Sequence, residues 1–185
     1  MPHARITRIM FDPSKYDAVL AVAKSIDFSG WPGLKLLAFS RHAEDRLVAT
    51  AGYEDKAAAD ANTENAKASL GKIADFMTEE PLVREVEVIW GFDGDQSMTP
   101  GYMRHVFVDF DSSKYDALMS YFDTTTERFR GVPGLIRVRL GRILENRMVS
   151  IAVYDNKASS DAGQENLRAI MSGMTEFVTG DYNIR

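Results

Sequence analysis

An internal repeat restricts what this chain can fold into more than any other feature of the sequence. Segments of the first half return in the same order in the second half: Phe11–Ala18 as Phe110–Ala117, Pro32–Leu34 as Pro133–Leu135, and Tyr53–Ala57 as Tyr154–Ala158. From Pro32 to Thr78 the two copies stay in register without a gap, and about 18 of roughly 47 positions are identical. The chain is therefore predicted to contain two copies of one folding unit.

The repeat also sets the domain boundaries. The first copy occupies residues 1–92 and the second occupies residues 103–185. Between them, residues 93–102 are rich in Gly, Asp and Pro, which is typical of a linker.

Each copy shows the same order of predicted elements: strand, helix, strand, strand, helix, strand. Ile6–Phe11 and Arg104–Phe110 alternate or are rich in β-branched and aromatic residues, which predicts strands. Helical spacing of apolar residues follows, and then two strands joined by a polar turn. The second helices are predicted over Lys56–Met77 and Lys157–Val178. This order is the split βαβ or ferredoxin-like unit, so the predicted fold class is α+β with tandem ferredoxin-like repeats.

The two copies differ at their ends. Arg84–Phe92 is predicted to form the fourth strand of the first copy. By register Arg185 corresponds to Arg84, so the second copy has no equivalent of Val86–Phe92. Two interpretations stay open: the second copy is a three-stranded variant, or the sequence is cut short.

Composition and motifs exclude several classes of function. A net charge of −5 argues against a nucleic-acid-binding surface, and no stretch approaches the roughly 18 apolar residues of a membrane span. The absence of cysteine excludes disulfides and thiolate metal sites, and three scattered histidines make a His-rich metal site improbable. The N-terminus lacks a signal-peptide core, so a cytoplasmic protein is expected. No P-loop, Rossmann or nucleophile-elbow motif is present, and no cofactor is predicted.

The repeat resembles the dimeric α+β barrel superfamily, and within it the antibiotic-biosynthesis-monooxygenase-like domains. The resemblance depends on the Pro-Gly-Leu opening of the second strand, the aromatic residue that ends the third strand (Tyr53 or Tyr154), and the Lys-Ala opening of the second helix. It implies that the tandem forms, within one chain, the barrel that two subunits often form in the family. Family members oxidise aromatic polyketides and quinols without a cofactor, degrade haem or isomerise substrates, and some have no known activity. Haem-degrading members carry an Asn on the first strand, and neither copy has one.

Strand alternation predicts which side chains face the inside of such a barrel. If the β-branched residues Val149, Ile151 and Val153 face the helices, then Met148 and Tyr154 face inward, as Tyr53 does in the first copy. The same argument places an inward polar cluster on the second copy, with one aromatic neighbour: His105, Asp109, Arg137, Arg139 and Phe107. An apolar pocket with a few convergent polar groups is the usual form of a small-molecule site.

Three functional hypotheses follow. In the first, the protein is a cofactor-independent oxygenase of a small apolar or aromatic substrate. His105 would move a proton, Asp109 would orient His105, and Arg137 or Arg139 would hold an anionic oxygen. Tyr53, Tyr154, Phe107 and Met148 would line the pocket. In the second, the protein binds a metabolite without turnover, and in the third it is an interaction protein with a closed barrel. Self-association is expected in each case.

Overall fold

The computed structural model describes residues 1–180 and 183–184, and the repeated sequence folds into two similar units. The first unit is Met1–Glu87 and the second begins at Val88. Both are α+β, as the sequence predicts. The expected closure of the two units into one barrel stays a prediction.

The first unit is a four-stranded antiparallel sheet with helices on one face. Its strands are ordered β2-β3-β1-β4, the order of a ferredoxin-like fold. The elements are β1 (His3–Met10), α1 (Tyr16–Ser25), β2 (Leu34–Ala43), β3 (Arg46–Tyr53), α2 (Lys56–Ala61), α3 (Thr63–Gly71) and β4 (Leu82–Asp93).

The second unit repeats this order as β6-β7-β5-β8. Its elements are β5 (Tyr102–Asp109), α4 (Tyr115–Thr125), β6 (Leu135–Leu144), β7 (Arg147–Tyr154), α5 (Lys157–Ala162), α6 (Gln164–Ser172) and β8 (Asn183–Ile184). Short 3₁₀ turns precede α1 and α4, where Asp12 and Asp111 cap the backbone N–H groups of Ser14 and Ser113.

The fourth strand of the second copy begins where the repeat requires it. In β8, Ile184 pairs with Val106 and Asn183 pairs with Phe107. The equivalent pairs in the first unit are Val83 with Thr7 and Leu82 with Arg8. Asp181, Tyr182 and Arg185 of the predicted 103–185 copy lie outside the described residues.

The boundary between the units falls inside a strand rather than in the predicted 93–102 linker. The first six residues of β4 pair with β1 of the first unit. The rest of β4, Val88–Asp93, belongs to the second unit and lies beside β6. Residues 94–101, which follow, are irregular.

Arginine side chains hold the end of β4 against β6. The Arg139 guanidinium donates to both Asp93 carboxylate oxygens at 2.7 and 2.8 Å and to the Phe92 carbonyl at 3.0 Å. The Arg137 Nε donates to Asp93 at 2.9 Å. Burial alone would raise the pKa of Asp93, but the hydrogen bonds from the two arginines outweigh it and hold the pKa below its usual value.

The predicted second helices are each broken into two. In the first unit the break is at Asn62, which is fully buried and donates to the carbonyls of Pro32 and Ala58, both at 2.8 Å. In the second unit the break is at Gly163. A side chain that bonds to nearby backbone competes with the helical hydrogen bonds, which explains the break at Asn62.

Apolar side chains fill the space between each sheet and its helices. In the first unit the main cluster is Ile9, Phe11, Val19, Leu47 and Ile73. In the second unit the corresponding cluster is Val108, Phe110, Leu118, Phe122, Leu140, Met148, Met174 and Phe177. Among the described residues, the helices are all too short or too polar to cross a membrane.

Changing Gly33 tests the turn that opens β2. Gly33 has φ +66°, and a Cβ there would lie 2.5 Å from the Ala58 Cβ. We expect Gly33→Ala to lower the free energy of unfolding by about 2 kcal/mol, measured by urea denaturation. Gly30→Ala is the control, since a Cβ at Gly30 meets nothing within 4 Å. Equal stability of the two variants would contradict the expected strain.

Changing Asp93 tests the attachment of β4. Because its pKa is depressed, Asp93 stabilises the fold above the ordinary carboxyl pKa of 3.8, and this contribution disappears as the pH falls through the lowered pKa. The carboxylate is half exposed, so we expect Asp93→Asn to lower the free energy of unfolding by only about 0.5–1 kcal/mol at pH 7. The difference should vanish in strong acid. Asp123→Asn, on an exposed helix position, is the control and should leave the free energy of unfolding at pH 7 unchanged.

Candidate functional site

Each unit has an apolar pocket between its sheet and its helices. In the first pocket, the centre of a water molecule can occupy about 70 Å³, and the unfilled space out to the mouth is about 600 Å³. Its walls come from β1, β2, β3, α1, α3 and the loop after α1: Arg5, Thr7, Ile9, Ala23, Ile26, Phe28, Trp31, Leu37, Phe39, Ala49, Ala51, Tyr53, Ala66, Ser69, Leu70 and Ile73. This is the form expected of a small-molecule site.

The second pocket lies at the equivalent place in the second unit. In this pocket the centre of a water molecule can occupy about 60 Å³. Its walls are Trp90, Arg104, Val106, Val108, Phe122, Phe129, Val138, Leu140, Met148, Ser150, Ala152, Tyr154, Leu167, Ile170, Met171 and Met174. Arg5 and Tyr53 of the first pocket correspond to Arg104 and Tyr154 of the second, so both copies keep an arginine and a tyrosine in an apolar setting.

The two pockets differ in what fills them. Small residues line the first pocket where the second has large ones: Ala23, Ala66 and Ser69 correspond to Phe122, Leu167 and Ile170. Trp90, from the end of β4, packs against Phe122 and Phe129 with ring centroids 5.3 and 5.2 Å apart.

The mouth of the first pocket is aromatic and partly exposed. Phe28 and Trp31 make an edge-to-face contact with ring centroids 5.1 Å apart, and Phe39 is 37% exposed. The residues at the same positions of the second copy, Phe129, Val132 and Leu140, are all buried. The first pocket is therefore the one that solvent and a ligand can reach more easily.

The first pocket ends in a network of buried and half-buried charges. The Arg5 side chain donates to Glu85 at 2.7 Å, to the Ala59 carbonyl at 2.6 Å and to Asp60 at 3.4 Å. His3 Nε2 lies 2.6 Å from the other Glu85 oxygen. Lys56 pairs with Asp60 at 2.7 Å. Arg5 is thus held rigidly by protein groups, and a His–Glu pair stands beside it.

Tyr53 joins this network to the apolar wall. Its Cα pairs with that of His3, and its ring centroid lies 6.0 Å from the Arg5 guanidinium carbon. Burial raises the pKa of Tyr53, the Arg5 charge acts in the opposite direction, and Glu85 adds to the rise. The hydroxyl therefore stays protonated at neutral pH and can act as a hydrogen-bond donor.

Three of the sequence-predicted site residues, Tyr53, Tyr154 and Met148, lie on the face opposite to the one expected. Tyr53, Tyr154 and Met148 line the pockets under the helices. Directly paired residues share a face of the sheet. Met148 pairs with Val108, which packs against the helices, whereas Ile151 pairs with His105, which lies on the other face. Both faces of β7 are buried, with Met148 and Val149 at 1% and 0% exposure, so apolar character did not mark the helix-facing side.

His105, Phe107 and Asp109 lie on the sheet face away from the helices, as predicted, but they do not form the expected dyad. His105 is 1% exposed, and Asp109 instead pairs with Arg147 at 3.5 Å. Four residues along a strand separate Cα atoms by about 13 Å, which is too far for the His105 and Asp109 side chains to bond directly. The two side chains therefore do not bond to each other directly, and the role of Asp109 in orienting His105 stays a prediction.

Arg137 and Arg139 also lie away from the pockets. Both bind Asp93, as described above, and Arg137 donates to the Gln96 side chain at 2.7 Å as well. The predicted polar cluster therefore separates into a buried histidine, a strand-edge ion pair and the β4 attachment.

The sequence analysis missed Arg5, Arg104, His3 and Glu85. The repeat contained the signal for the arginines, because extending the alignment of Phe11 with Phe110 back along the strand places Arg5 opposite Arg104. Nothing local in the sequence indicates that Glu85, 80 residues away, meets Arg5. Among the described residues, acidic and histidine side chains nowhere form a group of three that could hold a metal ion.

Comparison with known proteins gives a fold but no closer relationship. No family model matches the chain, and neither does any curated protein sequence. Solved structures do match along the whole length. A protein described as a candidate monooxygenase from Fusobacterium nucleatum has a TM-score of 0.77 at 13% identity, covering 99% of this chain and 89% of that one.

Two further solved structures match this chain along its whole length. An anthrone oxidase-like protein has a TM-score of 0.64 at 15% identity, covering 99% of this chain and 89% of that one. An uncharacterised ferredoxin-fold protein related to antibiotic biosynthesis monooxygenases, from Listeria monocytogenes, has a TM-score of 0.56 at 10% identity, covering 100% and 93%. The chain therefore shares the ferredoxin-like α+β fold of these structures.

Proposed function

We propose that the protein is an oxygenase that binds a flat, largely apolar aromatic substrate in the first pocket. The observation that carries the proposal is the partly open apolar pocket that ends in Tyr53 and Arg5, with the His3–Glu85 pair bonded to Arg5 behind them. Names of structural neighbours support the class of reaction, since they include monooxygenases and an anthrone oxidase-like protein. Those likenesses are at low identity, so the substrate class rests on the pocket.

The shape and chemistry of the pocket favour a fused or single aromatic ring system. Phe28, Trp31 and Phe39 offer ring faces and edges at the mouth, where aromatic contacts add to the effect of burial. Ala23, Ala49 and Ala66 leave room behind them. The apolar walls would exclude water from a bound ring.

The polar end fits a reaction that begins with loss of a proton. An anthrone or quinol that loses a proton places negative charge on its ring oxygen. The protonated Tyr53 hydroxyl would donate to that oxygen, and the positive charge of Arg5 would stabilise it. The His3–Glu85 pair is the acid–base pair nearest to this end and would accept the proton.

The substrate anion would then supply the electrons and dioxygen would accept them. For an anthrone, one oxygen atom enters the ring as the new quinone carbonyl and the other leaves as water, so the reaction balances without a further reductant. The protein contributes positioning, proton transfer and charge stabilisation.

A metabolite-binding protein without turnover is the main alternative. One observation favours it: Arg5 already makes three hydrogen bonds to protein groups, so it has few N–H groups left for a substrate. The two functions differ in dioxygen uptake.

A cytoplasmic location and self-association belong to the proposal as well. Native mass spectrometry tests the self-association.

Filling the first pocket with the side chain that the second copy carries tests its location. We expect Ala23→Phe to reduce anthrone-dependent dioxygen uptake at least tenfold, because Phe122 occupies this position in the filled pocket. Ala21→Phe, on the exposed side of the same helix, is the matched control and should keep the wild-type rate. An unchanged rate in Ala23→Phe would place the reaction elsewhere. Anthrone binding without uptake in the wild type would favour the metabolite-binding alternative.

Removing one hydroxyl tests the role of Tyr53. We expect Tyr53→Phe to lower kcat by about tenfold to a hundredfold while KM changes little, because the lost hydrogen bond acts on charge that develops during the reaction. Tyr16→Phe is the control, since Tyr16 packs in the core cluster of the same unit rather than in the pocket. A change confined to KM would mean that Tyr53 contributes only to binding.

A further inference from the structure

We propose that Glu85 sets the charge preference of the first pocket, so that the pocket takes an uncharged hydroxyaromatic molecule and rejects a carboxylate of similar size. The inference rests on the proposed use of this pocket as a ligand site, but it does not depend on turnover. It follows from the way in which the charges at the polar end of the pocket cancel.

The first step is that Glu85 is the closest charge partner of Arg5. One Glu85 carboxylate oxygen accepts from the Arg5 Nε at 2.7 Å, and the other lies 2.6 Å from His3 Nε2. The Arg5 side chain is only 10% exposed, whereas that of Glu85 is 46% exposed. A guanidinium keeps its charge even when it is removed from water, so its nearest carboxylate decides what net charge a ligand meets.

The second step is that the other carboxylate near Arg5 belongs to a different cation. The Lys56 Nζ donates to the two Asp60 oxygens at 2.8 and 2.7 Å, whereas Arg5 is 3.4 Å from Asp60. The Lys56–Asp60 charges therefore cancel as one pair, and the Arg5–Glu85 charges cancel as another. Whenever His3 is neutral, the polar end of the pocket carries no net charge.

The third step is that the surroundings make an added charge costly. The walls beyond Arg5 are mainly apolar side chains, such as Ile9 and Leu37. A carboxylate placed among them would lose its hydration, and the guanidinium that could compensate for this loss is already paired with Glu85. An uncharged hydroxyl needs only a hydrogen-bond partner, and the Tyr53 hydroxyl on the pocket wall can both donate and accept.

The same charge balance fits the proposed proton transfer. When an uncharged substrate gives its proton to His3, the substrate anion and the imidazolium form together, so the net charge of the site does not change. A ligand that arrives as an anion brings a charge that nothing cancels. Glu85 lies behind Arg5 rather than on the pocket wall, so it acts on the ligand through Arg5 and is a positioning residue.

The test compares two aromatic probes of similar size, the uncharged 2-naphthol and the anionic 2-naphthoate, by isothermal titration of the full chain at pH 8. We expect the wild type to bind 2-naphthol about tenfold more tightly than 2-naphthoate. Glu85→Gln keeps an acceptor for Arg5 but removes the negative charge, so it should tighten 2-naphthoate binding by about tenfold and change 2-naphthol binding little. Glu85→Asp keeps the charge and should keep the wild-type preference.

Glu87→Gln is the matched control. Glu87 lies two residues further along β4 on the same face, with its Cα opposite that of His3, and its side chain is exposed. Among the described residues Arg5 forms ion pairs with Glu85 and Asp60 but not with Glu87. The same loss of charge at this position should therefore leave both affinities at the wild-type values. Ala23→Phe, which fills the pocket, should weaken 2-naphthol binding.

Several results would overturn the inference: equal wild-type affinity for the two probes, no binding of either, an unchanged 2-naphthoate affinity in Glu85→Gln, or an equal gain in Glu87→Gln. Binding of 2-naphthol that persists in Ala23→Phe would overturn it as well. Dioxygen uptake separates it from the proposed function. Uptake with anthrone but without discrimination between the probes overturns only the role of Glu85, whereas the expected discrimination without uptake supports that role and overturns the oxidation.

Discussion

Antiparallel pairing between β1 and β3, repeated between β5 and β7, places the arginine and tyrosine at the end of each pocket. Directly paired residues lie on the same face, so His3 with Tyr53 and Arg5 with Ala51 come together under the helices. A shift of one residue would turn this row to the other face of the sheet. The same register in the second unit brings Arg104 and Tyr154 to the equivalent place. The chemistry at the end of each pocket therefore depends on strand register before it depends on any single side chain.

The fold could be predicted because its signals are local or repeated. Alternation, turn residues and the duplication gave the order of elements, and the register of β8 follows the repeat. The site was less predictable for two reasons. On β7 both faces are buried, so apolar alternation did not distinguish the helix-facing set. The partners of Arg5 and His3 lie on β4, about 80 residues away, and no spacing rule reports such a contact. The helix break at Asn62 was missed because it depends on a bond to Pro32.

The two copies show how one scaffold carries two different versions of the same pocket. Small side chains and an exposed aromatic mouth leave the first pocket accessible. In the second, larger side chains and Trp90 occupy much of the equivalent space. Their polar ends differ as well: Arg5 bonds to Glu85 and Asp60, whereas Arg104 bonds to Asp161 and Gln164. A duplicated chain can change one copy in this way while the other keeps its original geometry.

The path of β4 has a consequence for how the chain unfolds. One continuous strand completes the sheet of the first unit with its beginning and borders β6 of the second unit with its end. Unravelling of either unit would pull on hydrogen bonds that belong to the other. The duplication therefore need not behave as two independently melting modules, and a shared strand of this kind favours a single cooperative transition.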